Sequence, residues 1–271
     1  MSRSELASVL ESLAEIPGLD FSDYRETHVA RALQMRMAAR GITSARAYRD
    51  LVADDAAERE RLLSALLVPV TSLFRDREVF DALCDLVHAR TAGVRSPTPF
   101  RAWAIGVASG EEAWSLAAVL AHACERGVGY EILATDADLA SLAAAGRGQY
   151  PVSIEAVPAR YRRFFETRDT GDLAAKQSLR PHVSFACHDI VGTTIAPPEA
   201  LIAAFGLVLL RNVLIYYDRR LQETVLARIG SVLDAGGLLV LGHVETLPGD
   251  LAGDFEPHPA VDPRLRIFRR R

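Results

Sequence analysis

The spacing of apolar positions divides the chain into two regions of different character. Over residues 1 to about 90, apolar residues recur at helical spacing and strand signals are few. The segments with this pattern are Ser4–Glu15, Tyr24–Arg40 and Arg59–Leu67. We therefore predict an all-helical N-terminal domain with its linker over residues 1–90, followed by the turn-rich stretch Gly93–Pro99.

From residue 91 to residue 271, short apolar runs alternate with helical patterns. The predicted strands are Arg101–Ile105, Glu131–Thr135, Phe205–Leu210 and Leu238–Leu241. The predicted helices are Glu111–Cys124, a segment that runs through Leu142, and Arg219–Leu233. This alternation predicts an α/β domain with a mainly parallel sheet. The charged stretch from about 160 to 186 interrupts it, and we predict a small antiparallel β insertion there, with Thr170 and Gly171 near its turn.

Composition narrows the classes of function. Hydrophobic residues make up 49% of the 271 positions and the net charge is −4, which is ordinary for a globular protein and argues against nucleic-acid binding. The three cysteines and seven histidines show no metal-ligand spacing, so we predict no metal site. The N-terminus lacks a signal-peptide pattern, and no apolar run reaches the roughly 18 residues of a membrane span. We expect a cytoplasmic protein without membrane insertion.

A loop with two glycines joins the first predicted strand to the next helix. Gly106 and Gly110 stand there, and ligands bind beside such loops in open α/β sheets. The spacing matches neither the dinucleotide fingerprint nor the phosphate-binding loop. Glu111 and Glu112 follow; they would repel a pyrophosphate but suit an ammonium or sulfonium group. Favourable interaction with the helix dipole explains these two acids equally well.

Polar residues also end two other predicted strands. Asp136 stands 26 residues after Gly110, a separation that suits an acid holding a ribose, although Asp also caps helices. Arg211 and Asn212 follow an apolar strand abruptly. Because the carboxyl ends of parallel strands share one sheet edge, we expect these side chains to lie beside the same ligand.

Five segments, in their order and spacing, resemble the CheR family of chemoreceptor methyltransferases. They are Val70–Asp76, Gly110–Glu112, Ala134–Asp136, Leu210–Tyr216 and Leu241–Glu245. The resemblance implies a Rossmann-like class I domain that uses S-adenosylmethionine, with a small β-subdomain insertion and an all-helical N-terminal domain before it. It also implies the reaction, which is O-methylation of glutamate side chains on the cytoplasmic helical bundle of a chemoreceptor. The products would be glutamate methyl ester and S-adenosylhomocysteine, in sensory adaptation.

The resemblance also implies roles for residues that would bind the cofactor. Thr71 and Arg75 would reach its methionine end, and Glu111 or Glu112 would lie near its amino group. Asp136 would hold the ribose.

The adenine end and the transfer site complete the implied set. Asp189 and Ile190 would lie close to the adenine. Arg211 and Asn212 would line the methyl-transfer site, where Arg211 orients the incoming carboxylate, and Tyr216 would lie just beyond.

A basic helix face matches the acidic receptor that this family methylates. At 100° per residue, Arg25, Arg36 and Arg40 lie within about 60° of one another. We expect these three arginines to contact the acidic methylation region of the receptor, although an ordinary solvated face would show the same pattern.

Departures from the family leave an alternative open. Pro69 and Asp189 each stand where the family has Asn. The chain could therefore be a sensor or scaffold that binds the cofactor with weak or lost transferase activity. A methyltransferase for a small molecule fits the basic face poorly, and a nicotinamide oxidoreductase ranks last because the glycine fingerprint is missing.

Overall fold

The computed structural model describes residue 13 and residues 24–67, 71–93, 97–124, 128–192, 194–197, 204–249 and 253–271. The predicted helix Ser4–Glu15 lies outside these residues except for Leu13. The chain forms two compact units. The first comprises Met1–Pro69 with Ile215–Gln222, and the second comprises Val70–Leu214 with Glu223–Arg271.

The described part of the first unit is helical. Its helices are α1 (Glu26–Ala39), α2 (Ala45–Asp54) and α3 (Ala56–Leu67). Ser44 caps α2 by accepting a hydrogen bond from the Ala47 N–H at 3.4 Å. The buried apolar residues of these helices form one core: Val29, Ala32, Leu33, Met37, Val52, Leu62 and Leu66, joined by Leu13 and by the ring of Tyr48.

The second unit is built on a seven-stranded sheet. Its strands are β1 (Phe100–Ile105), β2 (Tyr130–Asp136), β6 (Val183–Cys187), β7 (Phe205–Leu210), β8 (Leu233–Leu241), β9 (Phe255–Pro257) and β10 (Ile267–Arg270). Its helices are α4 (Arg77–Thr91), α5 (Glu111–Ala123), α6 (Leu139–Arg147) and α7 (Arg219–Val232), the last of which begins in the first unit. None of the described helices combines the length and the apolar character needed to cross a membrane.

The strand order of the large sheet is β6-β2-β1-β7-β8-β10-β9. The first five strands run parallel and β10 is antiparallel to β8. All six residues of β7 are buried, as their unbroken apolar sequence predicted. The order reverses between β1 and β7, so a ligand site is expected where these two strands end. The predicted α/β fold is confirmed.

The predicted insertion is shorter than expected. β4 (Phe165–Thr167) and β5 (Leu173–Ala175) form an antiparallel hairpin, and β3 (Gln149–Tyr150) completes a three-stranded sheet. The turn contains Gly171, whose N–H donates to the Arg168 carbonyl at 2.9 Å. Residues 183–186 do not belong to this small sheet, because β6 pairs in parallel with β2.

The division between the units also lies earlier than the predicted boundary near residue 90. Helix α4 belongs to the second unit. Its apolar face, which includes Val79, Phe80, Leu83 and Val87, is part of the core beneath the α/β sheet. Helical periodicity predicts the helix correctly but does not reveal which core buries its apolar face.

Candidate active site

The loop after β1 depends on its two glycines. Gly106 has φ +70°, and a Cβ there would lie 2.5 Å from Cγ2 of Val213. Its N–H donates to the Thr135 carbonyl at 2.8 Å, which ties the loop to β2. Gly110 has φ +90° and begins α5. The loop therefore passes close to the end of β7, as a ligand-binding turn must.

Asp136 ends β2 as a buried carboxylate. It is 8% exposed and accepts hydrogen bonds from the N–H groups of Ala108, at 2.7 Å, and Asp138, at 2.9 Å. Burial raises the pKa of Asp136, and these N–H groups oppose that rise by stabilising the charged form. Each backbone bond uses one of the two carboxylate oxygens, and each oxygen can accept a further bond from a ligand hydroxyl.

Arg211 is the centre of an ion-pair cluster at the end of β7. Its side chain is 1% exposed. Nη1 donates to Oε2 of Glu112 at 2.7 Å, and Nη2 donates to Oδ2 of Asp76 at 2.5 Å. Nη2 also lies 3.2 Å from the carbonyl oxygen of Arg75. Arg211 thus joins the turn before α4 to the first turn of α5.

Glu112 belongs to this cluster, whereas Glu111 bonds elsewhere. Burial raises the pKa of the Glu112 carboxyl, against the opposing effects of Arg211 and Arg75. Glu111 accepts a hydrogen bond from the Ser109 hydroxyl at 2.7 Å. Of the two acids that the sequence left as alternatives, Glu112 is the one that faces the arginines.

The turn that carries Arg75 is held in a strained conformation. Phe74 and Asp76 have φ of 52° and 57°. The Phe74 N–H donates to the Ser115 hydroxyl at 2.9 Å, and the Phe74 ring stacks on Tyr161 with centroids 5.0 Å apart. These contacts place the half-buried Arg75 near Glu112. Thr71, also half-buried, begins the described part of the same segment.

A second carboxylate supports the residue after Arg211. Asn212 has φ +61°, and its N–H donates to Oε2 of Glu245 at 3.0 Å. The same oxygen accepts from the Gly242 N–H at 2.6 Å. Glu245 is 4% exposed and raises the pKa of Glu112 through its charge.

The segment after β6 lies beside the end of β2. The N–H of His188 donates to the Asp136 carbonyl at 3.0 Å. Asp189 is exposed, and its Oδ1 accepts from the Val191 N–H at 2.9 Å. Ile190 is 4% exposed. The structure therefore brings this pair to the same sheet edge as Asp136.

Tyr216 belongs to the first unit, whereas Arg211 and its partners belong to the second. Its ring packs on His28 with centroids 4.5 Å apart, and its carbonyl accepts from the Arg25 N–H at 3.0 Å. Nε of Arg25 also donates to the Tyr217 carbonyl at 3.3 Å.

The other two arginines of the predicted basic face surround a buried acid. Glu58 is fully buried. Arg36 donates to both of its oxygens, at 2.7 Å and 2.8 Å, and Arg40 lies 3.6 Å from Oε2. Tyr48 donates its hydroxyl to Oε1 at 2.9 Å. Arg36 is therefore largely engaged within the unit, while Arg40 is 41% exposed.

The sequence alone assigns no role to three residues of the site: Asp76, Ser115 and Glu245. Asp76 and Glu245 stand inside segments that resemble the family, which was the available signal. Ser115 had none, because a serine within a helix is not distinctive. Within the described residues, no group of three or more His, Cys, Asp or Glu side chains could hold a metal ion.

The chemistry of this sheet edge suits S-adenosylmethionine. Nε of Arg211 is buried and has no hydrogen-bond partner among the described residues, so it can donate to a ligand oxygen. Asp136 can accept from ribose hydroxyls. Asp76 and Glu112 pair with the guanidinium of Arg211, and the charges of Glu245 and Arg75 both act on Glu112. The three acids of this network outnumber its two guanidinium groups, and a surplus of negative charge suits a sulfonium.

Comparison with known families gives two matches that together span most of the chain. The model described as "CheR methyltransferase, SAM binding domain" matches residues 69–260. The model described as "CheR methyltransferase, all-alpha domain" matches residues 4–67. The change from one match to the other falls near Pro69, where the first segment of the helical unit ends, although Ile215–Gln222 of that unit lies within the second match.

Curated relatives match over similar lengths of this chain. "Chemotaxis protein methyltransferase 2" of Pseudomonas aeruginosa is 29% identical over 90% of this chain and 87% of its own length. "Chemotaxis protein methyltransferase" of Salmonella typhimurium is 28% identical over 90% of this chain and 84% of its own. An uncharacterised 104.1 kDa protein of Rhodobacter capsulatus is 32% identical over 89% of this chain, which spans 25% of that relative.

Proposed function

Because the chain belongs to the CheR methyltransferase family, we propose that it methylates glutamate side chains on the cytoplasmic domain of a chemoreceptor. The methyl donor is S-adenosylmethionine, and the products are a glutamate methyl ester and S-adenosylhomocysteine. The observation that carries the proposal is the family match over both units. The names of the chemotaxis relatives support the receptor as substrate. A cytoplasmic location follows from such a substrate.

The cofactor would be held at the ends of β1, β2 and β7. Asp136 would accept the ribose hydroxyls, with Gly106 allowing close approach of the loop. Asp189 and Ile190 would lie by the adenine. Thr71, Arg75, Glu111, Glu112, Arg211 and Asn212 complete the proposed cofactor set. When bound, the cofactor supplies an electrophilic methyl group on a sulfonium.

The chain's own task is to bind, orient and exclude water. The carboxyl of a glutamate has an unperturbed pKa of about 4.3, so the nucleophile is already ionised at neutral pH and needs no general base. The rate enhancement would come from alignment and from removal of water. Both terminal nitrogens of Arg211 are engaged by Glu112 and Asp76, so its proposed contact with the incoming carboxylate would use Nε. The proposed role of Tyr216 next to the reacting groups rests on the resemblance alone.

Receptor recognition would use the helical unit. Three arginines, Arg36, Arg40 and Arg61, lie within 4 Å of the single carboxylate of Glu58, which leaves an excess of positive charge. Arg25 and Arg40 flank α1 at its two ends. Such a surface would attract an acidic helical methylation region. We therefore propose Arg25, Arg36 and Arg40 as residues that steer the receptor.

Two measurements test the proposal. Purified receptor cytoplasmic fragments, incubated with the protein and methyl-labelled cofactor, should acquire a label that is released by mild base. Calorimetry should show that Asp136→Ala and Arg75→Ala each weaken S-adenosylmethionine binding roughly 10- to 100-fold, since each removes a hydrogen bond to a charged group.

Glu131→Ala serves as the matched control for binding. Glu131 is exposed near the start of β2, whereas Asp136 ends the strand. Removal of the Glu131 carboxylate should therefore leave the affinity for S-adenosylmethionine unchanged. Wild-type affinity in both Asp136→Ala and Arg75→Ala would contradict the cofactor placement. Cofactor binding without label on any receptor fragment would instead favour a sensor of the same fold.

A further inference from the structure

The turn that leaves β7 is held by one buried carboxylate. Oε2 of Glu245 accepts two backbone hydrogen bonds, from Asn212 at 3.0 Å and from Gly242 at 2.6 Å. Glu245 is 4% exposed, so both bonds are largely shielded from water. Asn212 has a left-handed backbone with φ +61°, a conformation that Asn adopts more readily than most non-glycine residues. The bond to Glu245 holds its N–H in this conformation.

Gly242 lets these groups approach closely. A Cβ at position 242 would lie 2.7 Å from Oε2 of Glu245, 2.8 Å from the Asn212 nitrogen and 2.9 Å from Nδ2 of Asn212. Real Cβ atoms essentially never make contacts under 3.0 Å. The ends of β7 and β8 are thus joined by an arrangement of Asn212, Gly242 and Glu245 that tolerates no added atom.

We propose that Glu245 is a positioning residue for methyl transfer: it fixes the turn in which Arg211 and Asn212 reach the reacting groups. Glu245 accepts a hydrogen bond from the N–H of Asn212, and Arg211 directly precedes Asn212 in the chain. A shift of this turn therefore moves both residues together. Glu245 acts through the backbone of Asn212 and touches no reactant itself. The inference rests on the proposed function of Arg211 and Asn212.

Four variants distinguish three effects: loss of the hydrogen-bond acceptor of Glu245, loss of its charge, and a general loss of stability. Glu245→Ala removes the acceptor, and Glu245→Gln keeps an oxygen that can accept both bonds while removing the charge. Gly242→Ala displaces the same groups by contact alone. Val244→Ala is the control, because Val244 lies in the same loop and is 71% exposed.

Two readouts are required. Amide hydrogen exchange in the peptide spanning 205–213 should accelerate in Glu245→Ala and Gly242→Ala, while exchange in the hairpin 165–175 stays at the wild-type rate. In methyl transfer to a receptor fragment, both variants should lose roughly 10- to 100-fold in kcat, since a buried N–H is left without its acceptor. Their KM for the fragment should stay within about twofold, and Glu245→Gln should restore kcat to within about fivefold of wild type.

Several outcomes would overturn the inference. Unchanged exchange in 205–213, a loss in Glu245→Gln equal to that in Glu245→Ala, or Gly242→Ala behaving like Val244→Ala would each do so. If the wild type transfers no methyl group, the proposed function fails, and the exchange measurement still decides whether Glu245 holds the turn. Should Glu245→Ala not fold, Glu245→Gln and Gly242→Ala still decide the matter.

Discussion

In the helical unit a carboxylate is buried among arginines, whereas in the α/β unit a guanidinium is buried among carboxylates. Glu58 is fully buried, with Arg36, Arg40 and Arg61 within 4 Å of its oxygens. Arg211 is 1% exposed and pairs with Asp76 and Glu112.

The difference lies in where the surplus charge goes. Around Glu58 the surplus is positive and reaches solvent, since Arg40 and Arg61 are 41% and 55% exposed. Around Arg211 the surplus is negative, and it is divided between Glu112, which is 13% exposed, and Asp76, which is 41% exposed. The first arrangement suits steering of an acidic macromolecule, and the second suits a small cation bound on the side of Glu112.

The largest expected effect comes from removing the buried cation. Arg211→Met leaves Glu112 without its buried partner, and we expect a loss of about 3–5 kcal/mol in the free energy of unfolding, measured with urea. Combining Arg211→Met with Glu112→Leu should regain part of this loss, because the orphaned charge is removed. A single variant that loses under about 1 kcal/mol would contradict the buried ion pair.

A smaller effect is expected from the opposite cluster. Glu58→Gln keeps one acceptor for Arg36 and Tyr48, and the partly exposed arginines can turn to water. We expect a loss of about 1–3 kcal/mol in unfolding free energy, with cofactor affinity within about twofold of wild type. Glu60→Gln, an exposed site on the same helix, should change stability by no more than about 0.5 kcal/mol. A large loss of cofactor affinity in Glu58→Gln would contradict the prediction that the Glu58 cluster contributes to stability and not to cofactor binding.

The smallest effect is a pH dependence. Burial raises the pKa of Glu112 above its ordinary value of 4.5, so the folded chain binds this proton more readily than the unfolded chain. The wild type therefore loses unfolding free energy as the pH rises from 4.5 through the raised pKa. Glu112→Gln has no carboxyl to ionise, and its stability relative to the wild type should increase over the same range. Urea titrations of both proteins across that pH range measure the difference in their unfolding free energies. If Glu112→Gln instead became less stable relative to the wild type as the pH rises, the pairing with Arg211 would outweigh burial in setting the pKa of Glu112.

An element of the fold could be predicted from the sequence where its pattern of apolar residues fits only one kind of structure. The continuous apolar run Phe205–Leu210 matches the bounds of β7, because a strand buried on both faces needs that run. By contrast, the alternation in Val183–Phe185 fits a hairpin as well as a sheet edge. The sequence could not decide, since strand pairing depends on residues distant along the chain.

Part of the candidate site could also be located from the sequence, where a polar residue follows an apolar strand. Asp136 and Arg211 end apolar strands, a position that marks a ligand site in an open sheet. Glu58 resembles any surface acid near the start of a helix, and its burial follows only from the packing of Tyr48 and Arg36. The role of Glu245 depends on a turn whose backbone conformation no periodicity reveals.

Left-handed backbone at the non-glycine residues Phe74, Asp76, Ala108 and Asn212 has a consequence for engineering. All four lie in the segments that carry the candidate site. Glycine adopts this conformation without strain, but at Phe74 it would remove a buried ring and at Asp76 a partner of Arg211. At Ala108 the exchange removes only one methyl group, so selection for heat resistance alone could relieve the strain there while loosening the loop whose N–H binds Asp136. An improved scaffold for industrial use should therefore be sought at positions outside these turns, with transferase activity screened in every round.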